Sequence, residues 1–111
     1  MATTFYTGNA TLTAPAESDS EAYGTTETLI TTPAGKSYMV YGLEVCGGAS
    51  GGSVKFIKNN GSTDVYTWEI SVAAQQVVYF DNKWSLPAGY MFKAAGDSDG
   101  IQVSVSALEQ G

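Results

Sequence analysis

Glu44 and Glu69 both fall on predicted strands, and a pair of carboxylates is the least that glycoside hydrolysis requires. Charges alternating along strands more often mark a solvated face, and the pair is read that way here. Asp97-Ser98-Asp99-Gly100 opens with the spacing of a calcium loop but lacks the later ligands and the closing Glu of an EF-hand. Asp and Gly are also the residues a tight turn selects, so a turn before a strand is the expectation. Gly47-Gly48-Ala49-Ser50-Gly51-Gly52 has no Lys-Ser/Thr ending and no helix after it, which makes it a connection and not a phosphate cradle. The sequence contains no His, so Ser-His-Asp and Cys-His arrangements are excluded. Its single cysteine, Cys46, cannot pair within the chain and reads as a small buried hydrophobe. Without His or further Cys, only carboxylates are left as metal ligands, which disfavours zinc. The expectation is a protein that is not an enzyme, with no catalytic, metal or cofactor-binding residues and no cofactor.

Charge narrows the partners. Five basic residues, all Lys (Lys36, Lys55, Lys58, Lys83 and Lys93), face 11 acidic ones, for a net charge of −6. Nucleic-acid binders need clustered cations to displace counterions from phosphates, so direct DNA or RNA binding is not expected. Only 14% of residues are charged against 43% hydrophobic, which leaves a surface of Thr, Ser, Gly, Asn and Gln, suited to lying against another protein. No run reaches the roughly 18 apolar residues of a membrane helix. Ala2-Thr3-Thr4 shows neither the basic nor the apolar region of a signal peptide. A soluble protein made in a cytosol, with no membrane partner, is expected.

The elements that position these groups are strands. Thr32-Pro33-Ala34-Gly35-Lys36 recurs in outline as Leu86-Pro87-Ala88-Gly89-Tyr90, each copy ahead of a run with alternating apolar residues. Pro presets φ at the second position of a tight turn, and Gly supplies the positive φ that follows. Thr28 to Thr32 is a short strand. Ser37 to Cys46 is a long one, with Met39, Tyr41, Leu43 and Val45 expected to share the core face. Val54, Phe56 and Ile57 mark the next strand, and Asn59-Asn60-Gly61-Ser62 turns it into Val65 to Ile70, with Tyr66, Trp68 and Ile70 on one face. Gln75 to Trp84 reads as one strand carrying Val78, Phe80 and Trp84, with polar Gln76 and Asn82 in the same register. Tyr90 to Ala94 follows. Ile101, Val103, Val105 and Ala107 mark the inner face of the last strand. No helix is expected. At 111 residues the chain is one domain, able to bury about 65% of its unfolded surface. The fold expected is all-β: a single antiparallel β-sandwich, jelly-roll-like, of about seven to eight strands with an N-terminal arm.

Residues 1–26 form either that arm, with one or two edge strands from Thr3 to Thr7 and Ala10 to Thr13, or strands of the domain's own sheet; residues 27–111 are the sandwich. The acidic, turn-rich Glu17-Ser18-Asp19-Ser20-Glu21 reads as a loop or a mobile segment. Aromatics are numerous: Tyr6, Tyr23, Tyr38, Tyr41, Tyr66, Trp68, Tyr79, Trp84 and Tyr90. Most are expected in the core or at its edge; exposed ones would bind sugars or anchor a protein interface. In the arm region a core is hardest to supply, so Phe5, Tyr6, Leu12 and Tyr23 are the candidate partner-binding residues.

From Glu27 to Glu109 the chain resembles small β-sandwich virion proteins of tailed bacteriophages. The resemblance rests on Thr31-Thr32-Pro33-Ala34-Gly35-Lys36-Ser37-Tyr38, the strand end Leu43-Glu44-Val45-Cys46, the second turn Leu86-Pro87-Ala88-Gly89, and the closing Ile101-Gln102-Val103-Ser104-Val105-Ser106-Ala107-Leu108-Glu109. It implies a structural virion protein, foremost a capsid decoration (cement) protein. Such a protein would bind the major capsid protein or another virion protein on the outer capsid surface, as a homo-oligomer with a trimer favoured. The alternative it leaves is a carbohydrate-binding or accessory module of a phage tail or head fibre. No catalytic residue is implied by it.

Overall fold

The computed structural model describes residues 5–16, 22–81 and 83–110, and every regular element among them is a strand. In chain order these are β1 (Phe5–Thr11), β2 (Glu27–Thr31), β3 (Ser37–Cys46), β4 (Gly52–Asn59), β5 (Asp64–Val72), β6 (Val77–Phe80), β7 (Trp84–Leu86), β8 (Met91–Gly96) and β9 (Gln102–Gln110). Ala2-Thr3-Thr4, the acidic stretch 17–21 and Asn82 lie outside the described residues.

Two antiparallel sheets pack face to face. The first runs β1-β9-β3-β6, with β7 also paired to β3; the second runs β2-β8-β4-β5. Because β6 takes Leu43 to Cys46 and β7 takes Tyr38 to Val40 on one edge of β3, the two together fill one strand position. Each sheet then has four positions, in the alternating order that defines a jelly roll. The expected all-β sandwich is therefore the observed fold.

The repeated turns place Pro one position earlier than expected. The Lys36 amide donates to the Pro33 carbonyl at 3.2 Å and the Tyr90 amide to that of Pro87 at 3.0 Å, so Pro opens each turn and Gly occupies its third place. Gly35 and Gly89 have φ of 79° and 80°, which is what the third residue of a type II turn requires. The two turns also meet: the Thr32 amide donates to Tyr90 O at 2.9 Å, and the Gly89 amide returns a bond to Thr32 O at 3.0 Å. Thr32 is buried at this junction, its hydroxyl donating to the Leu86 carbonyl.

Strict alternation along β3 fails at one place. A bulge between Val40 and Gly42 shifts the register against β9, so Tyr38 and Val40 face inward before it and Leu43 and Val45 after it. Met39 and Tyr41, expected in the core, lie on the half-exposed outer side. An extra residue in one strand reverses the facing of everything beyond it, and apolar side chains on both sides of the bulge hide that reversal in the sequence. The expected single strand from Gln75 to Trp84 is likewise divided, since the chain leaves the ladder after Phe80 and rejoins it at Trp84.

The core fills the space between the layers. Phe56 and Phe92 of the second sheet face Val40, Leu43, Val45, Leu86, Val103 and Val105 of the first, all of them buried. Beyond β1, Leu12 is fully buried, and its amide donates to the Ile101 carbonyl at 2.7 Å.

Candidate functional site

The side of the sandwich bounded by β5 in one sheet and by β6 and β7 in the other is open. These edge strands belong to different sheets and share no ladder, so side chains must fill the wedge between them. The Asn-Gly hairpin sets which ones. It pairs Lys58 with Tyr66 and Phe56 with Trp68, and the alternation of β5 turns Tyr66, Trp68 and Ile70 inward together. From the other sheet, Trp84 opposite Val40 and Phe80 opposite Leu43 point into the same space.

The result is a cleft of about 580 Å³ lined by Leu43, Lys58, Val65, Tyr66, Trp68, Phe80, Trp84 and Tyr90. Its back wall is a packed cluster of rings. Trp84 packs edge-on against Phe92 with ring centroids 4.7 Å apart, Trp68 stacks on Phe92 at 5.8 Å, and Phe92 stacks on Phe56 at 5.6 Å. At the rim, Tyr66 is 62% exposed and the Lys58 ammonium lies 5.5 Å from the centroid of the Tyr90 ring. Among the described residues, no carboxylate lines the cleft. Every residue in it was visible as an aromatic or strand residue in the sequence. Their convergence was not, although the hairpin register alone brings Lys58 beside Tyr66.

The structure scatters the four candidate partner-binding residues. Leu12 is in the core of its own domain, so no partner can reach it. Tyr6 stacks on Tyr38 at 4.5 Å and its hydroxyl donates to Glu109 Oε1 at 3.4 Å. Burial, followed by the hydrogen bond to Tyr6, pushes the Tyr38 hydroxyl up to about 12. Tyr23 folds against the outer face of the second sheet, 6.0 Å from the Lys55 ammonium. Its hydroxyl is raised by burial and by the charge and hydrogen bond of Glu69. Phe5 is the outward one: 64% exposed, it meets Tyr41 edge-on at 6.4 Å.

Phe5 belongs to a second surface. The outer face of the first sheet carries Phe5 and Leu108, Met39 and Tyr41, and Val77 and Tyr79, with Ser and Thr between them and Glu44 as its charge on β3. Val77 and Tyr79 are 58% and 61% exposed. Tyr79 lies over Gly42, where an added Cβ would come within 2.9 Å of its hydroxyl. The outer face of the second sheet is different: Lys55 pairs across to Glu69, Lys93 lies beyond them, and Tyr23 covers part of it.

Glu44 and Glu69 consequently point away from each other, out of opposite layers, and do not form a carboxylate pair. The Asp97-Ser98-Asp99-Gly100 carboxylates are spent on the backbone. Asp97 accepts from the Ser53 amide at 2.8 Å, and Asp99 accepts from the Ala14 amide at 2.8 Å. They pin the start of β4 and the segment that follows β1.

No family model matches the sequence, and no curated protein matches it. Among solved structures the chain is similar to a subunit of the Bacillus endospore appendages, described as a novel family of disulfide-linked pili. That match has a TM-score of 0.58 and 12% identity, covering 97% of this chain and 84% of that one. It is similar at a TM-score of 0.43 and 16% identity to the C-terminal family 6 carbohydrate-binding module of LamC, a laminarinase from Zobellia galactanivorans, over 98% of this chain and 100% of that one. At such identities the first likeness establishes a shared fold.

Proposed function

We propose that this chain is a non-enzymatic structural protein of a bacteriophage virion. It acts as a capsid decoration (cement) protein, with the outer face of its first sheet laid against the protein shell. The observation that supports this reading is the contrast between the two outer faces. The first exposes Phe5, Val77 and Tyr79 among small polar residues, while the second carries Lys55, Glu69 and Lys93. Depletion of charge together with enrichment of aromatics is the composition of an interface centre, and a flat sheet face suits a broad, flat partner. A protein that binds only the assembled shell stabilises it by mass action, and many copies of a moderate interface suffice. A homotrimer would multiply the contacts of each unit.

The test is cosedimentation with capsids lacking the protein. Wild type should bind saturably, and the double variant Val77→Ser, Tyr79→Ser should lose binding while keeping its unfolding midpoint. Undiminished binding by the variant, or no binding by wild type, would overturn the reading. Light scattering on the purified protein gives the oligomeric state.

A further inference from the structure

We propose that the cleft between β5 and the β6 and β7 edge binds an acidic glycan, a sugar ring lying on the aromatic walls with its carboxylate on the Lys58 ammonium. The volume of about 580 Å³ falls within the roughly 300–1,000 Å³ of small-molecule sites. Its walls are the flat faces and edges of Tyr66, Trp68, Phe80, Trp84 and Tyr90. A pyranose ring offers matching surfaces: an apolar C–H face for the rings, and a hydroxyl rim for the phenol and indole groups. Because Trp68 and Trp84 are already held by Phe92 and Phe56, binding orders few side chains, which removes a large part of its usual cost.

Lys58 sets the charge of the ligand. In a chain of net charge −6, its ammonium is the one charge among the described residues that line this cleft, and its neighbour is the Tyr90 ring. The ion pair among the described residues, Lys36 with Glu109, is elsewhere. A carboxylate arriving with the ligand would complete a charge-assisted hydrogen bond for which no carboxylate stands among the described residues of the cleft. One cation matches one carboxylate. A phosphate brings nearly two charges, and the described lining of the cleft holds no second cation to offset them, so a uronic acid fits better than a nucleotide.

Both tryptophans of the chain, Trp68 and Trp84, line the cleft, so fluorescence excited at the red edge, where tyrosine does not absorb, reports on this site. The probes are tetrasaccharides of galacturonate, mannuronate and hyaluronan, with methyl-esterified tetragalacturonate as the uncharged counterpart and AMP as the nucleotide. At least one free uronate should change the fluorescence saturably and bind tenfold or more tighter than the ester, with affinity falling as salt rises. Lys58→Gln should remove that preference, and the rim variant Tyr66→Ala should weaken uronate tenfold. Tyr79→Ala, on the outer face, should change nothing. Equal binding of ester and acid, binding of AMP alone, or no response to any probe at 5 mM-scale concentrations, on the order of the weakest specific affinities, would overturn the proposal. Capsid binding uses the other surface, so either proposal survives failure of the other.

Discussion

Trp68 and Trp84 meet edge to face across the open side of the sandwich, their ring centroids 6.1 Å apart and their planes at 89°. The two belong to different sheets, so this contact and their shared seat on Phe92 close the wedge that hydrogen bonds leave open. Trp84→Ala should therefore cost about 3 kcal/mol, within the range for truncating a large aromatic. Trp84→Phe, which keeps a ring on Phe92, should cost about 1 kcal/mol. Urea unfolding followed by circular dichroism measures both. Equal, negligible losses would mean that the core holds the layers together without this contact.

Leu12 makes a second prediction, about the start of the chain. β1 pairs with β9 from Phe5 opposite Leu108 to Thr11 opposite Gln102, and Leu12 then enters the core. Leu12→Ala should cost about 3 kcal/mol. Removing residues 2–12 should leave a chain that does not fold cooperatively, because it strips an edge strand from the first sheet and opens the core beneath it. A truncated protein with a sharp, near-normal thermal transition would show that β1 is dispensable.

The paired turns give a smaller, cleaner number. Gly35 and Gly89 have nothing within 4 Å of an added Cβ, so the cost of an alanine at either is that of the left-handed backbone alone. Gly35→Ala and Gly89→Ala should each lose about 1 kcal/mol. Ala34→Gly, one residue earlier, should lose less, since no positive φ is required there. If Gly35→Ala proves neutral, the turn has another conformation in solution.

The turns, the place of the β4–β5 hairpin and the inner face from Ile101 to Ala107 were legible in the sequence because each is set by local chemistry: a positive φ, a turn-forming Asn-Gly, an unbroken alternation. The hairpin's form was not legible: residues 60–63 make a four-residue loop between Asn59 and Asp64, with Asn60 Oδ1 accepting from the Ser62 and Thr63 amides, in place of a two-residue Asn-Gly reversal. The bulge in β3 was not, because Met39 and Tyr41 are as apolar as the Tyr38 and Val40 that displace them from the core. Leu12 looked like part of an arm because its partners, Ile101 and Gly96, lie far along the chain. The cleft was hidden for the same reason. Lys58 and Tyr66 are brought together by a hairpin that a reader of sequence can see, but Trp84 and Phe80 reach them only through the packing of one sheet on the other, which no local pattern encodes.

Tyr38 supplies a prediction at the alkaline end. Buried beside Tyr6, with its hydroxyl donated to that neighbour, it is held neutral by the fold up to about 12, against an ordinary value of 10.0. An acid whose folded pKa lies above its unfolded one stabilises the fold fully below the unfolded value and loses that contribution as pH rises toward the folded one. The loss should fall between about pH 10 and pH 12. Tyr38→Phe deletes the ionisation and keeps the ring on Tyr6, so the advantage of wild type over the variant should be constant from pH 7 to 9 and shrink above pH 10, on the linkage argument that ionisation of roughly one group separates them. Urea midpoints of both proteins across that range decide the matter. Parallel curves would mean that Tyr38 ionises in the folded protein as easily as in the unfolded chain, and that the Tyr6 to Tyr38 stack opens to solvent.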